Sequence, residues 1–419
     1  MLPIFATVVL TVLATLLVLN LRAEKKIDVR PMHLYPVADQ QFVRSMSVLL
    51  GPPLIEGNRV ETLLNGERIF PSMLQAISGA KQTIDFETYI YWSGEIGKQF
   101  AEALAERARA GVKVNVLVDW LGSQKMDNDS IESMTKAGVD FRKYRPLRWY
   151  NLGRVNNRTH RKLLIVDGRI GFTGGVGVAD NWTGNAQDPE HWRDNHYRIE
   201  GPAVSQMQAT FMDNWTKVSG AVLHGDPYFP RQQAVGNQYA QVFQSSSEGG
   251  AQSMHLMYLL SIAAATKTID LAMAYFVPDE VTSEALVNAM KRGVRVRLIL
   301  PGQYNDADFV RNASRASWGP LLQAGALIHE YQPTLYHVKL LIVDGLWSSV
   351  GSTNFDARSF RLNDEANLNV YDAEFGRLQT QTFDTDLKQA RRITYEQWES
   401  RPWHEKLKER GAALFSSQL

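Results

Sequence analysis

The chain has no cysteine, which removes thiolate nucleophiles, disulfides and sulfur-ligated metals from consideration. Net charge is nearly absent too: 45 Lys and Arg against 44 Asp and Glu leave +1 at pH 7. A protein held to nucleic acid by bulk electrostatics is far more basic, so no specific nucleic-acid partner is expected and any anion site must be local. Carboxylates are not clustered at the spacing of a hard-cation loop, so neither a metal nor another cofactor is expected. Long apolar runs are also missing, with one exception. From Leu2 to Leu21 no charge interrupts LPIFATVVLTVLATLLVLNL, and about twenty such residues can span a bilayer. A cleaved secretory signal is the competing reading, but the basic start is lacking and Asn20-Leu21-Arg22-Ala23 is a poor cleavage site. A transmembrane anchor over 1–22 is therefore expected. Arg22, Lys25, Lys26 and Arg30 beyond it favour a cytoplasmic catalytic part.

What is present is a duplication. Ala80-Lys81-Gln82-Thr83-Ile84-Asp85-Phe86 recurs as Ala265-Thr266-Lys267-Thr268-Ile269-Asp270-Leu271, about 180 residues on, too long a period for a solenoid. The runs TYIYW from Thr88 and AYFV from Ala274 then read as a first buried strand in each copy. Phe100, Leu104 and Ala108 in one copy, and Leu286 and Met290 in the other, make helical stripes. GVKVNVLVD from Gly111 and GVRVRLILP from Gly293 follow as strands, and third strands begin near Ala137 and Ala324. Strands alternating with helices predict an α/β sandwich in each copy. The expected division is an anchor at 1–22, a linker at 23–56, domains at 57–225 and 226–403, and an amphipathic tail at 404–419.

Chemistry falls at matched places. HRKLLIVD (His160–Asp167) and HVKLLIVD (His337–Asp344) both read His-x-Lys-x-x-x-x-Asp. One such motif arises by chance in roughly a few percent of chains this long, but two in register do not. On a strand, side chains at i and i+2 share a face, so His160 points with Lys162, and His337 with Lys339. A phosphodiester is anionic and resists attack; it needs cations on its oxygens, a nucleophile, and an acid for the leaving alkoxide. Two lysines and two imidazoles supply all three. The two rings need opposite protonation states, and an orienting carboxylate lies downstream in each copy, Asp194 and Glu365. Asp167 and Asp344 complete the motifs, as chemical groups or as residues that hold the turn beside the strand.

These paired motifs resemble the phospholipase D (PLD) superfamily. IDFETYIYWSG from Ile84, NRTHRKLLIVDG from Asn157, WRDNHYRIEGPAV from Trp192 and GSTNFDARSFRLNDEANL from Gly351 look like bacterial cardiolipin synthases. The resemblance implies two tandem lobes with pseudo-twofold symmetry around one active site. It further implies transfer of a phosphatidyl group between glycerophospholipids through a phosphohistidine, with His160 as nucleophile. A bacterial inner membrane and anionic phospholipid substrates are the expected setting. It places phosphate contacts at Asn354, Ser352 and Gly175, although Gly177 stands where the second copy has Asn354. A hydrolytic phospholipase D and a nuclease of the same superfamily remain open, since the histidine chemistry is common to all three.

The copies differ most just before the first histidine. Nineteen positions separate Phe141 from His160, against nine between Ile328 and His337. No acidic residue occurs between Phe141 and Val166, while Arg145 and Arg148 accompany Trp149. Basic residues among aromatics suit an anionic bilayer surface, so this loop is expected to guide lipid into the site. A solvated charge run packed on the other lobe is the bland alternative.

Overall fold

The computed structural model describes residues 2–21, 27, 29–33, 35–147, 156–246 and 253–418. In the first half seven strands form: β1 (Ile55–Leu64), β2 (Thr83–Thr88), β3 (Lys113–Asp119), β4 (Asp140–Tyr144), β5 (Leu163–Val166), β6 (Ile170–Gly174) and β7 (Asn195–Glu200). The second half adds β8 (Gln238–Ser245), β9 (Thr268–Met273), β10 (Phe276–Val277), β11 (Arg295–Pro301), β12 (Leu327–Tyr331), β13 (Lys339–Val343), β14 (Trp347–Gly351), β15 (Phe355–Asp356), β16 (Glu365–Tyr371) and β17 (Ala390–Ile393). Outward from the middle, the first half is ordered β1-β7-β6-β5-β2-β3-β4 and the second β8-β16-β14-β13-β9-β11-β12-β17. The two series match strand for strand up to the added edge β17. Antiparallel pairing of β1 with β8 joins them into one fifteen-stranded sheet.

The motif strands are apolar at every position from Leu163 to Val166 and from Leu340 to Val343 because both faces are covered. In β5, Leu164 and Val166 face a core shared with the helices Asn65–Gly79 and Glu95–Arg109, through Phe70, Phe100 and Leu104. Leu163 and Ile165 face the opposite way, into a core that contains residues of both halves. β13 repeats this: Leu341 and Val343 face the second half's own core, Leu340 and Ile342 the shared one. The shared core also takes Phe211 and Trp215 from Val204–Ser219, and Phe375 and Phe383 from Ala373–Leu387. Burying each such side chain contributes about 1.5–3 kcal/mol, so the halves are held by their cores more than by polar contacts.

Three expectations change. The first strand of each copy is the duplicated stretch itself, Thr83–Thr88 and Thr268–Met273, rather than the aromatic run after it. That run leaves the sheet, and its Tyr89 and Tyr275 line a cavity instead. The segment 23–56 is more than a linker: Val37, Phe42 and Met46 are buried in the second half's core, with Phe42 edge-on to Trp347 at 5.1 Å. Residues Leu2–Leu21 form a helix. Among the described residues, however, no helix is long and apolar enough to cross a membrane, so the expected anchor over 1–22 is not supported. At the other end, Trp403–Ala413 is a helix whose Glu409 is buried against Arg315 and Arg401.

Candidate active site

His160 and His337 lie just ahead of β5 and β13, where each chain segment crosses to the opposite half. His160 N–H donates to Asp364 O at 2.9 Å and Asp364 N–H to Arg158 O at 2.9 Å. The mirror arrangement has His337 N–H donating to Arg193 O at 2.8 Å and Arg193 N–H to Leu335 O at 3.0 Å. Buried side chains fix both crossings. Arg193 is bidentate to Asp386 at 3.0 and 2.9 Å, and Tyr336 also donates to Asp386. Tyr144 donates to Asp364 at 2.7 Å, and Thr159 donates to buried Glu87 at 2.6 Å.

The crossings exchange the carboxylates. Glu365 of the second half holds His160 Nδ1, both oxygens at 3.0 Å, while Asp194 of the first half holds His337 Nδ1 at 2.7 Å. The sequence supplies one carboxylate per copy; the structure gives each to the other copy's ring. Each carboxylate is itself held. Trp182 Nε1–H and Asn195 N–H donate to Asp194 at 3.1 and 2.8 Å. Ser352 Oγ–H donates to Glu365. A ring that donates from Nδ1 keeps its lone pair on Nε2.

Burial sets the protonation states. It pushes His160 down to about 4, Glu365 opposing and Lys162 assisting. His337 is also lowered, by burial and Lys339 against the pull of Asp194. Burial lowers Lys162 to about 7 and Lys339 to about 8, despite carboxylates nearby. Burial works against the carboxylates as well, yet His337 keeps Asp194 below its ordinary range, and His160 does the same for Glu365. The rings therefore rest neutral beside poised ammonium groups. Lys339 Nζ stands 3.1 Å from His337 Nε2, and each lysine donates to the carbonyl of its own histidine at 2.7 Å.

Both histidines and Lys162 open on one cavity of about 270 Å³. Its walls are aromatic: Tyr89 is edge-on to His160 at 5.4 Å, and Trp182 and Trp192 stand 5.3 and 6.0 Å from His337. A larger groove of about 660 Å³ opens at the Asp167 end of β5 and contains neither histidine.

Other expected residues are placed differently. Asp167 and Asp344 sit at the far ends of β5 and β13, seven residues and roughly 20 Å from the histidines. Asp167, at φ +53°, accepts from the N–H groups of Lys81, Gln82 and Thr83 at 2.9, 2.7 and 2.9 Å. Asp344 accepts from Thr266, Lys267 and Thr268 in the same way, at 2.9, 2.7 and 2.8 Å. Their role is to tie the turn after one strand to the start of another, and they take no part in the site. Ser352 serves Glu365 instead of facing a phosphate. A Cβ on Gly175 would lie 2.3 Å from Asp194 Oδ1, so this glycine makes room for the carboxylate. Asn354 does line the cavity, and its Oδ1 has no hydrogen-bond partner. Of the basic loop, Arg148 and Trp149 lie outside the described residues. Arg145 sits at φ +45° over the Tyr144 ring, and its carbonyl accepts from Arg158. Sequence reasoning missed Tyr89, Trp182, Tyr275, Asp306 and Arg358 as cavity residues. Trp192 carried a signal, standing two residues from Asp194.

Residues 73–215 and 258–387 match the family described as "Cardiolipin synthase, PLD-like domain". The chain is 34% identical to Cardiolipin synthase 1 of Bacillus anthracis, over 88% of this chain and 74% of that protein. It is 36% identical to a cardiolipin synthase of Oceanobacillus iheyensis, over 87% and 76%. In fold it is similar to a phosphatidylserine synthase of Haemophilus influenzae, with a TM-score of 0.64 at 12% identity, covering 86% of this chain and 95% of that one.

Proposed function

This chain belongs to the cardiolipin synthase family with its PLD-like domain repeated twice, and on that premise we propose that His160 and His337 are the two chemical groups of a single phosphatidyl-transfer site. The protein is an enzyme, a phosphatidyltransferase acting on phospholipids. The observation that carries the residue assignment is the exchange of carboxylates, which puts two oriented imidazoles from different halves on one cavity.

His160, neutral well below pH 7, attacks the donor phosphorus through Nε2. The bond from phosphorus to the headgroup oxygen breaks, and His337 gives that oxygen a proton. The charge of the bound phosphodiester, added to that of Asp194, favours protonation of His337 once substrate arrives. An acceptor hydroxyl then loses its proton to His337, attacks phosphorus and breaks the N–P bond. Lys162 and Lys339 neutralise the non-bridging oxygens, and the Asn354 amide adds a neutral donor.

We place the enzyme at a bacterial membrane, against which the exposed side chains of Val8, Leu10 and Leu13 in the first helix, and of Leu414 and Phe415 near the last, find apolar cover.

Full-length protein given phosphatidylglycerol vesicles should release glycerol and form a lipid with two phosphatidyl groups. His160→Ala or His337→Ala should each abolish this, and rapid quenching in denaturant at neutral pH, which spares the acid-labile N–P bond, should trap the radiophosphorus-labelled phosphatidyl group on His160. Label found on His337 alone would reverse the two roles; full activity in either alanine variant would remove the mechanism. The pH profile follows from the lysines. Their protonated forms bind the anion, so kcat/KM should fall as pH rises through about 7 to 8, while acid loss is confined to the region near the His160 value of about 4. An alkaline limb near 10 would show that the lysines are not depressed.

A further inference from the structure

Joining a phosphatidyl group to a second glycerophospholipid brings two phosphodiesters into one cavity. The histidines, Lys162 and Lys339 suit the one that reacts. The acceptor brings its own anion, and the cavity, which already carries Asp306 and Asp356 on its wall, has to compensate it. Two arginines line the same cavity without serving the reacting centre, Arg158 and Arg358.

Arg158 is paired with buried Asp119 at 3.4 Å, whereas Arg358 meets only neutral acceptors. Arg358 donates from Nη1 to Asn156 O at 3.0 Å and from Nη2 to Asn156 Oδ1, both neutral acceptors. Among the described residues no carboxylate lies within ion-pair distance of it. Arg158 is 4% exposed; its Nε–H donates to Asn157 O at 2.9 Å, and its Nη groups reach Asp119 Oδ1 at 3.4 Å and Arg145 O at 3.4 and 3.5 Å. The shorter bonds to Asp119 come from Leu121 N–H at 2.8 Å and Thr159 N–H at 3.1 Å. Asp356 and Asp306, also on the wall, are engaged by Ser359 N–H at 2.8 Å and Tyr275 O–H at 2.7 Å.

The duplicated fold provides an internal control. Arg158 precedes His160 by two residues, and the residue two before His337 is Leu335. Arg358 lies seven residues after Gly351, and the residue seven after Gly174 is Asn181. The fold thus builds the same positions elsewhere without cations, so the two arginines are not a structural requirement of a PLD-like lobe.

We propose that Arg158 and Arg358 form a second anion subsite, which holds the phosphodiester of the acceptor lipid while its hydroxyl attacks. The inference rests on the transferase reading and names the residues that select an anionic acceptor. In a phosphatidylglycerol acceptor, the terminal hydroxyl oxygen is five bonds from its own phosphorus. That tether separates the hydroxyl from its own phosphate, so the two can occupy different parts of the one cavity that the histidines and the arginines line. Water and simple alcohols reach the same intermediate but gain nothing from the arginines, so the subsite biases the enzyme towards transfer between lipids.

The test sets two acceptors against each other in one sample: full-length enzyme on phosphatidylglycerol vesicles with butanol added, measuring the lipid with two phosphatidyl groups and phosphatidylbutanol together. The ratio is independent of how much enzyme is folded. Arg358→Gln and Arg158→Gln should each lower it about tenfold, the loss of one charge-assisted contact, with Arg358→Lys in between. An unchanged ratio in both glutamine variants, with wild type making both products, would overturn the subsite and leave the transferase reading standing. Wild-type enzyme that makes neither product would overturn both.

Discussion

At one matched position the two halves bury the same residue in opposite chemical settings. Asp85 on β2 accepts from the neutral amides of Asn115 and Gln208 at 2.7 and 2.8 Å, and burial raises it to about 7. Asp270 on β9 is bidentate to Arg297 at 2.6 and 2.7 Å, and Arg297 also meets Asp384 at 2.7 Å. One half keeps a carboxyl close to neutral and the other keeps an ion pair, yet the strands around them superpose in order. At the histidines the halves differ little: ring, lysine and borrowed carboxylate recur in both. The scaffold accepts any chemistry that satisfies its buried polar groups, whereas the cavity accepts a narrow set.

The most severe way to break the matched part is to disarm one borrowed carboxylate. Asp194→Asn and Glu365→Gln keep shape but lose charge, and each should lower kcat by about 10²- to 10⁴-fold with the fold retained by circular dichroism. Because the carboxylates are exchanged, Glu365→Gln should alter the titration of His160 and leave His337 unmoved in NMR spectra; the opposite pattern would contradict the exchange.

The scaffold contrast yields a smaller, asymmetric effect. Arg297→Gln strands Asp270 in the core and should cost about 3–5 kcal/mol in denaturant unfolding, whereas Asp85→Asn should cost about 1 kcal/mol or less at pH 7. The pH dependence separates them further. A carboxyl whose folded pKa is raised stabilises below its unfolded value and loses that contribution as pH rises to the folded one. Stability should therefore decline between about pH 4 and 7 on account of Asp85 and of Glu87, also raised to about 7 by burial. Asp85→Asn should flatten part of that slope, and a slope unchanged in the variant would remove Asp85 as its source.

The smallest change tries to restore symmetry. Gly177→Asn would match Asn354, but a Cβ at 177 would lie 2.7 Å from Ile90 Cβ. We expect a loss of about 1–3 kcal/mol in stability and no gain in turnover. A faster enzyme would mean that the missing amide limits the first half.

The motif, its duplication and the α/β character were legible because they are local or repeat in register. HRKLLIVD announces a buried strand by composition alone. The start of β2 was placed too late, since the aromatic run TYIYW has strong strand propensity and only the cavity explains why it leaves the sheet. Asp194 and Glu365 were legible as carboxylates but not as exchanged ones, because sequence distance says nothing about which ring each reaches. Asp167 and Asp344 sit inside the motif, so sequence left both a chemical and a turn-holding role open, and only their contacts with backbone N–H groups decide for the turn. The apolar run over 1–22 showed its helix but did not establish a span.

The exchange also sets a schedule. Glu365 follows His160 by 205 residues, and His337 follows Asp194 by 143. At about 5–20 residues per second, synthesis exposes the first half for roughly 10–40 s before the carboxylate that orients its histidine exists. During that interval the nascent chain carries an unarmed imidazole beside whatever membrane it meets. On the proposed mechanism, the His160 ring gains its orienting carboxylate only after the segment that carries Glu365 has emerged and paired with the first half.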